Sequence, residues 1–177
     1  ALVGVDRVDR TGKLDDPVGA AVDSSGRIYI ADTDNDRILV FTSTGGHVFT
    51  IGASGTGNGQ LSNPKAVAVD YNSGAVYVTD TGNARVQRFV YSSGWSYNTQ
   101  ADGSACGGGT FSSPNGISVD ANGAVYVTDG GNNGRVLVFT SALACTSAFG
   151  SVGATPGKFT NPQGVSIDSA AQIYVAD

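Results

Sequence analysis

Val76-Tyr77-Val78-Thr79-Asp80 followed at once by Thr81-Gly82-Asn83-Ala84-Arg85 is the stretch that decides the fold. Valine and tyrosine alternate over a strand length and stop at an aspartate. A short Gly/Asn turn follows, and an arginine opens the next apolar run, Arg85 to Phe89. This is a hairpin of two short strands. The same hairpin is written three more times, wholly or in part. Ile28-Tyr29-Ile30-Ala31-Asp32 leads to Arg37–Phe41, and Val125-Tyr126-Val127-Thr128-Asp129 leads to Arg135–Phe139. Ile173-Tyr174-Val175-Ala176-Asp177 closes the chain.

Working outward, each hairpin is preceded by a proline and a short apolar run ending in aspartate. The prolines are Pro17, Pro64, Pro114 and Pro162, at intervals of 47, 50 and 48 residues, and the aspartates are Asp23, Asp70, Asp120 and Asp168. In these runs Val67 and Val69, or Ile117 and Val119, alternate with Ala66 and Ala68, or Gly116 and Ser118. Successive strand residues point to opposite faces, so one face is bulky and the other thin. A looser fourth strand follows around Val48–Ile51, Trp95–Tyr97 and Leu143–Phe149. Four strands in about 48 residues, joined by Gly/Asn/Asp/Ser turns, make one propeller blade. A fixed period of this length sets aside the shorter leucine-rich, ankyrin and tetratricopeptide repeats.

The chain therefore reads as all-β: a β-propeller of four-stranded antiparallel blades, about 3.5 of them in 177 residues. The expected boundaries are 1–11 for the tail of a preceding blade, 12–58, 59–108 and 109–156 for three blades, and 157–177 for half of a fourth. Such a segment is expected to belong to a larger ring, six-bladed at roughly 290 residues. Its exposed sheet faces would then be covered by further blades of the same chain, or else by neighbouring copies.

The pattern Gly-x-Phe/Leu-x-x-Pro, then apolar-Asp, then Ile-Tyr-Val-Ala-Asp, then Asn-x-Arg resembles the NHL repeat. Asn35-Asp36-Arg37, Asn83-Ala84-Arg85 and Asn133-Gly134-Arg135 stand at that family's signature triplet, with its middle histidine replaced each time. The resemblance implies the propeller fold. For function it implies only a choice among protein-binding platforms, RNA readers and lyases, so function has to come from a site.

Composition narrows that choice. Ten basic residues stand against fifteen acidic ones, a net charge of −5, which gives phosphate no basic field and argues against nucleic acid. No apolar run is long enough to span a membrane as a helix. Asp32/Arg37, Asp80/Arg85 and Asp129/Arg135 fall opposite one another at strand ends. A catalytic pair would occur once; a pair in every complete blade is a structural clasp. Asp32-Thr33-Asp34-Asn35-Asp36 has the oxygen content of a calcium loop but lacks its Gly and bidentate Glu, and reads as turn chemistry. His47, the single histidine, falls on an outer strand away from the axis.

No catalytic residue, cofactor site or metal site is assigned. Cys106 and Cys145 lie near the rim of adjacent blades; the even count favours a disulfide, with two free thiols as the other reading. The segment Tyr91–Gly109 departs from its sister blades and carries Trp95 and Tyr97, a candidate recognition surface or a cover for the outer strand. The expectation is a non-enzymatic, extracellular or cell-surface module that recognises a protein or glycan or builds an assembly. The alternative is a segment of a lyase- or lactonase-type propeller enzyme whose catalytic residues lie in blades outside this chain.

Overall fold

A computed structural model describes residues 13–177; the readings made for residues 1–11 lie outside the described residues. Among the described residues, fourteen strands form three four-stranded antiparallel sheets and one two-stranded sheet, each in simple sequential order. Blade one holds β1 (Pro17–Val22), β2 (Ile28–Asp32), β3 (Arg37–Phe41) and β4 (His47–Ile51). Blade two holds β5 (Pro64–Val69), β6 (Val76–Asp80), β7 (Arg85–Tyr91) and β8 (Trp95–Ala101). Blade three holds β9 (Pro114–Val119), β10 (Val125–Asp129), β11 (Arg135–Phe139) and β12 (Cys145–Phe149). β13 (Gly164–Ile167) and β14 (Ile173–Ala176) pair as the fourth sheet.

Each first strand ends in a turn built by its aspartate. Asp23, Asp120 and Asp168 each accept two backbone N–H bonds through Oδ1 from within the following four residues. This is an Asx-type closure that returns the chain into the second strand. The tyrosine of that second strand donates its hydroxyl to the same carboxylate in Tyr29–Asp23, Tyr126–Asp120 and Tyr174–Asp168. The blade-two turn is one residue longer. There Ser73 donates to Asp70 instead, and the Tyr77 hydroxyl crosses to the Ser141 carbonyl of blade three at 2.7 Å.

Alternation along the strands builds the core between blades. Val76 and Val78 of β6 enter one apolar cluster with Tyr29, Ile38, Val40 and Phe89, while Tyr77 enters the next with Val127, Leu137 and Phe139. Thus the repeated tyrosine faces the following blade. Tyr29 and Tyr77 are fully buried there, whereas Tyr174 lies exposed on a face that no described residue covers. On the thin side, a Cβ at Gly19 would sit 2.5 Å from the Lys65 carbonyl oxygen, and one at Gly116 would sit 2.6 Å from that of Gln163. Neighbouring inner strands approach too closely there for any side chain.

The fourth strand of blade two extends beyond the sequence reading. Trp95–Ala101 pairs with Arg85–Tyr91 over most of its length, and Trp95 lies opposite Tyr91. Part of the apparent insertion is simply a longer hairpin. In blade three, Leu143 belongs to the turn in left-handed conformation, and the strand starts only at Cys145.

Candidate recognition face

All three Asp–Arg pairs form at one end of the stack. The register sets Asp32 opposite Arg37, Asp80 opposite Arg85 and Asp129 opposite Arg135. Their Nε–Oδ2 separations are 2.7, 2.6 and 3.0 Å, with the aspartates fully buried. Every remaining carboxylate lone pair is occupied. Oδ1 accepts backbone N–H from the loop entering the blade: Asp15 to Asp32, Ser62 to Asp80, and Ser112 and Ser113 to Asp129. The triplet asparagines Asn35, Asn83 and Asn133 donate their amides to the same groups. Each guanidinium in turn donates to carbonyls of that loop: Arg37 to Lys13, Arg85 to Gly57 and Gln60, Arg135 to Gly107, Gly109 and Thr110.

A buried ion pair repays its desolvation only when such extra hydrogen bonds complete it. The triad therefore pins each incoming loop to its hairpin. Asp177 accepts N–H bonds from Thr160 and Asn161 in the same manner. The carboxylate lone pairs are filled, and each guanidinium is engaged by its aspartate and by the entering loop, in the same way in all three blades.

The middle residue of the triplet has a backbone role that sequence reasoning missed. Asp36, Ala84 and Gly134 are all left-handed, with φ of 53, 50 and 51°. The asparagine-to-arginine step needs that turn to bring both side chains onto one carboxylate. Aspartate and glycine at two of the three positions were the available signal. Asp36 also holds the loop that leads into blade two, accepting from Ser54 Oγ at 2.6 Å and Asn63 N at 2.7 Å.

Other sideways bonds at this end join blade to blade. Thr33 donates to the Pro64 carbonyl at 2.8 Å and Thr81 to that of Pro114 at 2.6 Å. Between these ties the four inner strands converge on an axial cleft of about 250 Å³. The residue after each blade proline lines it: Val18, Lys65, Asn115 and Gln163. Sequence reasoning passed over this position, although it varies while its proline and its small neighbour persist. Asp34 and Asn132 are exposed in the turns that join the second and third strands of blades one and three.

Cys106 and Cys145 are joined in a disulfide with a Cα–Cα separation of 5.4 Å. It ties the loop after blade two to the outer strand of blade three, beside the Gly107 and Gly109 carbonyls that satisfy Arg135. Trp95 and Tyr97 are placed differently from an open recognition surface. Both are half-buried and pack on the core between blades one and two. Trp95 stands edge-on to Tyr29 with ring centres 6.0 Å apart, and its buried Nε1 has no acceptor among the described residues. The reason is the long β7–β8 hairpin, which leans its tip over blade one and leaves Tyr91 as the exposed ring. His47 is exposed at the start of β4, and the Asp32–Asp36 segment forms a single turn in which Asn35 donates its amide to Asp32.

The NHL repeat model matches residues 14–41, 61–89 and 111–139, one match on each complete blade. Protein brain tumor from Drosophila melanogaster is 39% identical over 61 residues, covering 34% of this chain and 6% of its own length. Among solved structures, virginiamycin B lyase from Staphylococcus aureus superposes with a TM-score of 0.64 at 16% identity, over 90% of this chain and 48% of that one. A structure of the nidogen/laminin complex gives a TM-score of 0.68 at 19% identity, over 91% of this chain and 56% of that one. The chain thus spans about half the length of the solved structures it resembles. At these identities the structures speak for the fold alone. Three repeat matches, each covering a blade with a buried Asp–Asn–Arg triad, identify the chain as a member of the NHL-repeat β-propeller family.

Proposed function

We propose that this chain is part of a non-enzymatic, extracellular recognition module whose clasped loop end binds a protein or a glycan. One observation carries the reading: the charged groups that would attract a catalytic assignment are spent, blade after blade, on the same structural contact. What differs between blades, and so can specify a ligand, is the loop surface around the axial cleft. The disulfide supports an oxidising compartment. The nidogen/laminin complex shows a related fold within a protein assembly, which favours a protein ligand. Likeness to virginiamycin B lyase favours a second reading, a segment of a propeller enzyme that draws catalytic groups from other blades.

Surface plasmon resonance of the immobilised chain against extracellular-matrix proteins, with a glycan array in parallel, separates the two. The recognition reading expects saturable binding that Asp34→Lys or Asn132→Lys removes without lowering the melting temperature. Turnover of virginiamycin B or of a lactone by the purified protein, with no saturable binding to either library, would overturn it.

A further inference from the structure

From the axial mouth we infer a carboxylate-binding site centred on Lys65. The position after the blade proline is occupied by Val18, Lys65, Asn115 and Gln163 in turn, and all four side chains line the cleft where the inner strands converge. Its flanks follow the repeat: proline before, and a small residue after in Gly19, Ala66, Gly116 and Gly164. The position itself does not follow it. Variation at an axial position between two constant flanks is what a ligand site requires and what blade stacking does not.

Lys65 is the cation that lines the cleft, and its pairing differs from that of four arginines. Arg27, Arg37, Arg85 and Arg135 each have a carboxylate oxygen within 3.0 Å. Lys65 has no carboxylate partner among the described residues, and its Nζ donates to Asn115 Oδ1 at 3.0 Å. An ammonium has three donors, and an amide oxygen supplies no counter-charge. Asn115 is itself held firmly: only 3% exposed, it accepts from Ser113 Oγ at 3.1 Å and donates Nδ2 to the Pro162 carbonyl at 3.2 Å. This amide therefore aims the lysine across from blade two to blade three, over the axis. Val18, Ala20, Ile117 and Val165 supply apolar walls around it, and a cation beside such walls attracts an anion more strongly than it would in open water.

The chemistry favours a carboxylate over a phosphate. The site offers one positive charge and neutral amide donors, including the exposed Gln163, matching a monoanion with two acceptor oxygens. No guanidinium fork suited to phosphate lines the cleft, and those of Arg37, Arg85 and Arg135 are committed to the clasps. The carboxylate can belong to a small organic acid or to an acidic side chain of a protein. The inference stands on the axial geometry alone and does not depend on the recognition reading above.

The test is an NMR titration of the full ¹⁵N-labelled chain at constant ionic strength, following the Asn115 side-chain amide and the Gly116 backbone amide. The probes are acetate, inorganic phosphate and an acetylated, amidated tripeptide with a central aspartate. Saturable shifts are expected with acetate. Lys65→Gln weakens the response by roughly tenfold or more, as expected for losing a charged hydrogen bond, while Lys65→Arg and the surface control Lys158→Gln retain it. Tighter saturation by the peptide assigns the carboxylate to a protein; equal or weaker saturation assigns it to a small acid. A linear response, an unchanged response in a folded Lys65→Gln protein, or saturation by phosphate alone would overturn the inference.

Discussion

Asp80 receives donors from Ser62, Asn83, Arg85 and Gln87, and its counterparts in the flanking blades are saturated in the same way. At the scale of single residues this is the main result: the most deeply buried charges among the described residues are acceptors whose valence is filled. Tyr29 makes a complementary point about the turns. Burial, and then its hydrogen bond to the Asp23 carboxylate, push its hydroxyl up to about 12. The unfolded side chain ionises near about 10. A raised folded value contributes stability that is complete below the unfolded value and is lost as pH climbs through the folded one. Spectrophotometric titration at the phenolate band should show Tyr29 ionising together with loss of native circular dichroism between about pH 10 and 12. Tyr29→Phe should shift that alkaline transition.

The elements follow from the same chemistry at longer range. Gly116 lets β9 lie against the strand of the next sheet, since a Cβ there would also fall 2.8 Å from the Gly164 Cα. Gly116→Ala must move backbone rather than a side chain, and a loss of about 1–3 kcal/mol is expected in urea unfolding. The Cys106–Cys145 disulfide closes a loop of 39 residues. Replacing both cysteines with serine should cost about 3–4 kcal/mol by the chain-entropy argument. Hydrogen exchange should locate the loosening first in residues 102–110, which carry the carbonyls bound to Arg135.

Sequence was most informative at this scale. The prolines, the Asp-terminated strands and the Asp/Arg ends were legible because they recur and because strand alternation is local. The length of β8, the left-handed Asp36 and Ala84, and the side of the sheet taken by Trp95 were not. Each is decided by what a neighbouring blade presents, which spacing along one chain does not encode. Lys65 and Asn115 were legible only as a break in the repeat, and their contact joins two blades 50 residues apart.

For the whole molecule, two apolar clusters and the ties around the axis make three complete blades act as one stack. Common clasps give the stack its shape, and the non-repeating axial and loop residues give it individuality. Urea unfolding of Asp32→Asn, Asp80→Asn and Asp129→Asn, with the Asn115 amide response to acetate followed in each, tests that division most directly. The account predicts comparable losses of stability of about 3–5 kcal/mol, with the ligand response unchanged in molecules that remain folded. One variant that keeps full stability and loses the ligand response, while its two sisters do the reverse, would contradict it.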